Sequence, residues 1–337
     1  MGSIGAVAIG RNEGERLEAC LKALVDDVDH MVYVDSGSTD GSRELARSLG
    51  VEVVELDLSQ PFTAARARNE GYARLKELLP ELEYVQFVDG DCEVRQGWIE
   101  KARASLDNDE TIAVVCGRRR ERFPNASIYN RLTDIEWDTP IGNAKSCGGD
   151  ALFRARALES VGGYDPSVIA GEEPELCFRL RKEGWRVRRL DLEMTYHDAA
   201  MDSFGQWWKR IVRAGHAAAE GAWMHGRSPE RYYVIPTLRP IFWAAALPLV
   251  ALLTAYWTYG LSILLLLLIY AVQWFRMFAR QRIRGKTRSD ARLQATFIML
   301  AKPAMLIGIM TFVFNRLRGK RTRIIEYKGP TPAGSDA

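Results

Sequence analysis

The chain has 337 residues, of which 46 are Lys or Arg and 43 are Asp or Glu, so its formal net charge is only +3. The charge is unevenly placed, because residues 276–328 hold fourteen basic and two acidic residues. Without that segment and Asp336, residues 1–275 carry a net charge of −8. This distribution argues against a nucleic-acid binder with one basic face and favours a soluble domain tethered to an anionic membrane surface.

The cysteines and the first residues bear on the compartment. Five cysteines stand at positions 20, 92, 116, 147 and 177, with no Cys-x-x-Cys spacing. This scatter indicates neither a zinc site nor a disulfide framework, and it predicts reduced thiols in a cytosolic domain. Residues 1–9 lack a basic start and are too short for a signal peptide, so we expect a first buried strand there.

The first 200 residues alternate short apolar runs with helical patterns, which predicts an α/β sheet flanked by helices. Strands are predicted over residues 4–9, 31–34, 51–56 and 84–88. Asn12 with Glu15 is expected to cap the first helix, and Pro61 and Thr63 to open the third. Polar residues follow three of the strands: Arg11-Asn12, Asp35, and Asp89 with Asp91.

Ligands of open α/β sheets bind at the rim formed by the carboxyl ends of the strands, so these polar residues mark a candidate site. The chain contains neither G-x-G-x-x-G after the first strand nor G-x-x-x-x-G-K-[ST]. A dinucleotide dehydrogenase and a phosphate-loop NTPase therefore have no support.

Five motifs in order carry a resemblance to a known family. They are Val7-Ala8-Ile9-Gly10-Arg11-Asn12-Glu13, Val34-Asp35-Ser36-Gly37-Ser38-Thr39-Asp40-Gly41, Ala67-Arg68-Asn69-Glu70-Gly71, Asp89-Gly90-Asp91 and Gly171-Glu172-Glu173-Pro174-Glu175-Leu176-Cys177. Residues 4–198 thus resemble a family 2 glycosyltransferase with the GT-A fold, a Rossmann-like nucleotide-sugar-binding domain. The resemblance implies a nucleotide-diphosphate sugar donor, a divalent cation (Mn²⁺ or Mg²⁺), and transfer with inversion at the anomeric carbon.

The resemblance also implies roles for single residues. Nucleotide-sugar contacts fall on Asn12, Asp35, Ser36, Arg68, Asp89 and Gly149, and metal ligation on Asp91. A hard cation held by one or two carboxylates neutralises the charge that develops on a diphosphate leaving group. His197 follows the predicted strand 190–196 and is a candidate further metal ligand, with Asp198 as its partner; a structural hydrogen bond is the alternative.

Glu172 and Glu173 precede Pro174, which is expected as the first residue of a helix that closes at Gly184. Acidic residues at a helix start complement its dipole, which is the structural interpretation. In the functional interpretation one of them is the general base that deprotonates the acceptor hydroxyl. By position in the motif we favour Glu173, with Glu172 as the alternative.

Apolar segments follow the soluble domain. Residues 241–257 and 261–275 are free of charge and predict a helical hairpin (241–275) in the membrane. Residues 295–314 contain Lys302-Pro303, and a third span would place the basic tail outside. We therefore predict that segment 295–314 is re-entrant or interfacial, with an ordinary third span as the alternative.

The predicted organisation has three parts. Residues 1–230 form the GT-A domain with a trailing amphipathic helix, residues 238–316 the membrane region, and residues 317–337 a basic cytoplasmic tail. In the trailing helix Phe204, Trp208, Ile211, Gly215 and Ala219 recur at helical spacing, while Lys209, Arg210, Arg213 and His216 project from other sides, which is typical of an interfacial amphipathic helix that leads to the membrane hairpin. Arg210 and Arg213 are candidate contacts for the phosphate of a lipid-linked acceptor.

The sequence thus predicts a glycosyltransferase of the cytoplasmic membrane, with its catalytic domain in the cytosol, that moves one sugar to a lipid or lipid-linked acceptor in envelope or exopolysaccharide synthesis. A polyprenyl-phosphate glycosyltransferase is the nearest alternative. A non-catalytic membrane scaffold that binds nucleotide sugars is a second alternative. A metal-dependent nucleotidyltransferase, which would release pyrophosphate, is a third.

Overall fold

The computed structural model describes residues 2–60 and 63–319. Pro61 and residues 320–337 of the predicted basic tail lie outside the described residues. Within them the chain divides into two compact units: residues up to 124 with 136–200, and residues 125–135 with 201–319. The predicted boundary after residue 230 differs from this division, because the helix that begins at Phe204 packs with the later helices.

The first unit is built on one mixed sheet. Its strands are β1 (Ser3–Gly10), β2 (His30–Asp35), β3 (Glu52–Glu55), β4 (Leu82–Asp89), β5 (Cys92–Val94), β6 (Ile112–Glu121), β7 (Gly142–Ala144), β8 (Ala151–Arg154) and β9 (Arg186–His197). Their order is β3-β2-β1-β4-β8-β6-β9-β5, with β7 paired to β9. The four strands predicted from the sequence are β1 to β4, and they pair in parallel. This α/β sheet confirms the predicted fold class.

The helices alternate with these strands and then continue alone. They are α1 (Glu15–Lys22), α2 (Ser42–Ser48), α3 (Ala64–Leu78), α4 (Trp98–Asp107), α5 (Ile128–Glu136), α6 (Ala155–Ser160), α7 (Glu172–Lys182), α8 (Phe204–His225), α9 (Val234–Ile241), α10 (Leu247–Thr254), α11 (Leu261–Ile283) and α12 (Arg288–Leu317). A π-helical turn over Phe242–Ala246 joins α9 to α10.

Strand register brings the polar rim together. Asp35 is the register partner of Gly10, and Asp89 that of Ile9, so the ends of β1, β2 and β4 coincide. On the other side of β4, β8 pairs antiparallel, which places the residues just before Ala151 beside Asp89. The carboxyl end of β4 is therefore the centre of the candidate site.

Two helix starts differ from the prediction. Asn12 does not cap α1, because the helix begins at Glu15 after Gly14, and Asn12 itself has a φ of 56°. Pro174 is not the first residue of α7, which begins at Glu172 after the left-handed Gly171. In both places a backbone turn with positive φ starts the helix. The predicted Thr63 cap is confirmed, since its hydroxyl accepts the N–H of Arg66 at 3.1 Å.

In the second unit α8 and α12 run parallel in close contact. A Cβ on Gly308 would lie 2.0 Å from the carbonyl oxygen of Val212, and one on Gly215 would lie 2.2 Å from that of Met305, so the two glycines permit the approach. The α8 residues that this unit buries are Trp207, Gly215, His216, Ala218, Ala219 and Gly221. Phe204 of the predicted apolar face is exposed, whereas His216, which was predicted to project away from that face, is buried against Phe312.

Within residues 2–60 and 63–319, three helical stretches are long and apolar enough to cross a membrane: Val234–Thr254, Leu261–Ile283 and Arg288–Leu317. The first two form the predicted hairpin, in which the Ser262 hydroxyl donates to the carbonyl of Ala251 at 2.7 Å. The third, α12, continues as a helix through Pro303 without a break. The prediction that segment 295–314 doubles back as a re-entrant loop therefore does not match its conformation.

Candidate active site

Arg68 on α3 lies at the centre of the candidate site and is buried. Its guanidinium contacts three carboxylates: Asp89 at 2.7 Å, Glu172 at 3.0 Å and Glu173 at 3.4 Å. Burial alone would favour the neutral guanidine, but the carboxylates outweigh it and raise the pKa of Arg68. One fixed cation thus joins the end of β4 to the start of α7, which brings together residues 68, 89, 172 and 173 as the sequence predicted.

The two glutamates at the start of α7 differ in their surroundings. The Glu172 side chain is 7% exposed and accepts a hydrogen bond from Arg68 Nη1, whereas that of Glu173 is 15% exposed. Burial and then the neighbouring charge of Glu172 raise the pKa of Glu173 to about 7, against an ordinary value of 4.5. A carboxylate that titrates near neutral pH is suited to accept a proton.

Asp89 lies between two guanidiniums. Its Oδ1 contacts Arg68, and its Oδ2 lies 3.5 Å from Nη2 of Arg119, a residue of β6. Gly149 is close enough that an added Cβ would lie 2.6 Å from Asp89 Oδ2 and 3.0 Å from Arg68 Nη2. A larger residue here would have to displace these side chains, and the predicted contact of Gly149 with a sugar stays a prediction.

Asp91 and His197 form the candidate metal centre. Asp91 Oδ2 lies 3.3 Å from His197 Nε2, and both residues are buried. Adjacent ligands of an octahedral ion with bonds of about 2.1 Å lie about 3 Å apart, so the two atoms fit one ion. His197 Nδ1 lies 3.9 Å from Glu121 Oε2 and makes no hydrogen bond, so this carboxylate favours a proton on Nδ1, and with it a free Nε2, only through its charge. The donor set, one carboxylate and one imidazole, suits Mn²⁺.

Two other groups near this centre are unsuited to the ion. Burial raises the pKa of the Cys92 thiol well above its usual range, so it stays protonated. Asp150 is fully buried and its carboxylate is paired with Arg119 at 2.8 Å. Asp198, the predicted partner of His197, instead accepts the N–H of Ala200 at 3.0 Å, and Glu121 occupies the partner position.

The nucleotide side of the rim is an ordered turn. Asp35 is buried, and its Oδ2 accepts the N–H groups of Gly37 and Ser38 at 3.0 and 2.9 Å. Asn12 Oδ1 accepts the N–H of Thr39 at 2.8 Å, which ties the β1 turn to the β2 turn. Ser36 is buried beside them. Asp35 and Asn12 therefore shape the turn through the backbone, and their contact with a base or ribose remains a prediction.

Sequence reasoning did not single out Arg119 or Glu121, which lie two residues apart on β6. The signal for them was weak, because Arg118-Arg119-Arg120 reads as a solvated basic run. Arg210 and Arg213, the predicted acceptor contacts, lie on α8 in the second unit. The site built from the first unit contains neither of them.

Comparison with known proteins relates part of this chain to a family. Residues 7–158, which are 152 of the 337 residues, match the model of Glycosyl transferase family 2. Over that part the chain is similar to members of this family. Two relatives agree: the glycosyltransferase AglE of Haloferax volcanii, 25% identical over 64% of this chain and 72% of its own, and the succinoglycan biosynthesis protein ExoA of Rhizobium meliloti, 29% identical over 56% and 61%. The match thus spans less than two thirds of ExoA.

The fold has a counterpart among solved structures. A mannosyltransferase of Pyrobaculum calidifontis, determined with GDP-Man and Mn²⁺, superimposes with a TM-score of 0.56 at 19% identity, over 95% of this chain and 88% of its own. At that identity the likeness shows the GT-A fold alone. The family match and the two relatives support a glycosyltransferase activity for this chain.

Proposed function

We propose that this glycosyltransferase transfers one sugar, with inversion and with the help of a divalent cation, to a lipid or lipid-linked acceptor at the cytoplasmic membrane face. The observation that carries the catalytic part is the contact of Arg68 with both Asp89 and Glu173, 2.7 and 3.4 Å from the guanidinium. Through it the candidate base is held beside the motif that meets the donor.

Glu173 is the proposed general base. Its carboxylate accepts the proton of the acceptor hydroxyl as that oxygen bonds to the anomeric carbon, and the bond from that carbon to the diphosphate breaks. Attack from the face opposite the leaving group inverts the configuration. Glu172, buried and bonded to Arg68, keeps the guanidinium in place and is the weaker candidate for the base.

Asp91 and His197 are the proposed ligands of the cation, with Glu121 orienting the imidazole. When bound, Mn²⁺ or Mg²⁺ neutralises charge on the diphosphate leaving group. Asp89, held by two guanidiniums, is proposed to meet the donor beside it. The same contacts with Gly149 favour a close fit of the sugar against the backbone.

Helix α12 is proposed to lie in the membrane interface. Among its contacts with the hairpin, Thr296 accepts from Trp274 Nε1 at 3.1 Å, and Ile241 packs against a cluster that contains Ile309. Trp274 and Ile241 lie at the same end, since nearby Trp243 and Tyr270 face each other. The thirteen residues between the two α12 contacts span about 20 Å, so the helix runs across the hairpin rather than along it.

Two further features favour that orientation. Helix α12 packs along its apolar length against α8, which carries Lys209, Arg210, Arg213 and Glu220. Moving these charged side chains into the hydrocarbon core would have a high free-energy cost. An apolar stripe on α12 stays exposed, as expected for a helix lying on acyl chains; it comprises Leu300, Ile307, Met310, Phe314 and Leu317. A reporter fused after residue 319 should be cytoplasmic, and an external reporter would refute this topology.

Donor binding and base catalysis can be tested separately. Purified protein should be stabilised against heat by one nucleoside diphosphate with Mn²⁺, and Asp91→Asn should lose that effect. Glu173→Gln should keep donor binding but lose release of nucleoside diphosphate. Near-normal turnover in Glu173→Gln would exclude it as the base and favour a phosphate acceptor, which needs little help from a base. Release of pyrophosphate would instead indicate a nucleotidyltransferase.

A further inference from the structure

Asp89 also belongs to a second ionic network, which is formed by Asp150 and Arg119 and does not include Arg68. Asp150, fully buried, accepts the N–H of Asp89 with Oδ1 at 3.3 Å. Its Oδ2 accepts the hydroxyl of Thr195 at 2.8 Å and pairs with Arg119 at 2.8 Å. Asp150 therefore connects the ends of β4, β6, β8 and β9 at one point.

Arg119 contacts both Asp89 and a ring that packs against His197, the candidate metal ligand. Its guanidinium lies over the ring of Trp137, 5.4 Å from the centroid, and the same ring meets His197 edge-on at 4.8 Å. Its Nη2 is shared between Asp150 and Asp89 Oδ2. Asp150 raises the pKa of Arg119 against the opposing effect of burial, so the group stays charged.

We propose that Arg119 and Asp150 are a positioning pair, which sets the orientation of the Asp89 carboxylate and thereby the affinity for the donor and its cation. This inference rests on the proposed donor site. Neither residue touches the reacting atoms. Arg119 Nη2 lies 3.5 Å from Asp89 Oδ2 and attracts it by charge without a hydrogen bond, Asp150 accepts the backbone N–H of Asp89, and Arg68 binds Oδ1. Three groups therefore act on the orientation of the carboxylate before any ligand arrives.

A charge-matched set of variants separates positioning from structural support. Arg119→Met leaves Asp150 buried and unpaired, and Asp150→Asn leaves Arg119 without its main partner, so each should lower the melting temperature. The double variant removes both charges and should recover much of that stability. Arg119→Lys keeps the charge without the planar fork. Arg120→Met is the control, because Arg120 lies on the same strand and pairs with Glu193 at 2.9 Å.

The readout is binding, measured by calorimetry with UDP and GDP in the presence of Mn²⁺. Both single variants, the lysine variant and the double variant should bind the preferred nucleotide at least tenfold more weakly than wild type, while Arg120→Met is unchanged. Recovery of affinity together with stability in the double variant would overturn the proposal, as would unchanged affinity in Arg119→Lys. If wild type binds neither nucleotide, the proposed donor site fails first and this inference falls with it.

Discussion

Replacing Glu173 with Gln tests the proposed base through both activity and stability. With a pKa of about 7 in the folded protein, about one tenth of Glu173 is ionised at pH 6 and about nine tenths at pH 8. Turnover of the wild type should therefore rise about tenfold over this interval. A glutamate with the ordinary value of 4.5 would already be ionised at pH 6 and would give a flat profile.

The same pKa has a consequence for stability. Because the value is higher in the folded than in the unfolded protein, the stability associated with the protonated form is present below pH 4.5 and is lost as the pH rises to about 7. At about 1.4 kcal/mol for each tenfold change, the loss reaches about 3 kcal/mol. Glu173→Gln stays neutral, so it should be the more stable protein above pH 7, by roughly 6 to 12 °C in melting temperature.

The assay compares melting curves and nucleoside diphosphate release at pH 5, 6, 7 and 8 in one detergent. Glu183→Gln is the matched control, because Glu183 follows the last turn of the same helix and is exposed. Glu173→Gln should match wild type in stability near pH 5, exceed it at pH 8, and lack turnover throughout. Equal melting temperatures at pH 8, together with a flat wild-type profile, would refute the reasoning.

Three further substitutions have defined outcomes. Arg68→Met leaves Glu172 buried and unpaired and should cost about 3 to 5 kcal/mol of unfolding free energy, measured by denaturant titration, with Arg68→Lys less affected. Glu121→Gln should weaken the affinity for Mn²⁺ about 10- to 100-fold in a metal titration, and equal affinity would remove its orienting role. Gly149→Ala places a Cβ 2.6 Å from Asp89 Oδ2, so kcat/KM for the donor should fall at least tenfold in a protein that still folds.

Much of the candidate donor-binding site could be predicted because its residues directly follow strands that are recognisable in the sequence. Residues that follow parallel strands share one edge of the sheet, so the predicted strands were enough to bring Asp35, Asp89 and Asp91 together. The contact between Arg68 and Glu172, 104 positions apart, was not predicted, because the family resemblance named the two residues for separate roles.

The rest depends on strand order, which periodicity does not encode. Arg119, Glu121 and Asp150 enter the site because β8 and β6 insert beside β4, and β9 then follows. No local signal specifies that insertion. The sequence therefore revealed the residues that meet ligands more readily than those that hold them in place.

The predictions for helix starts and for α8 differ from the structure for a common reason, which is the effect of small residues on the backbone and on packing. At Gly14 and Gly171 a positive φ starts the helix, and this outweighed the side-chain capping signals at Asn12 and Pro174. On α8 the apolar periodicity favoured the large residue Phe204, whereas the buried face is set by glycines and alanines that admit another helix. Close helix packing selects small side chains, and hydrophobicity does not detect that preference.

Because most of α5 belongs to the second unit but lies within the sequence of the first, no single truncation point separates the two units. The helix arises in the middle of the sheet unit's sequence, yet Arg131 pairs through two 2.9 Å contacts with Asp290 at the start of α12, and Asn130 accepts the N–H of Met201. A shortened protein that ends before α8 would keep α5 and Met201 but lose Asp290 and the Phe297 ring that contacts Tyr129, exposing a buried apolar face. A soluble version for crystallography should therefore replace residues 125–135 with a short linker as well as remove the C-terminal helices.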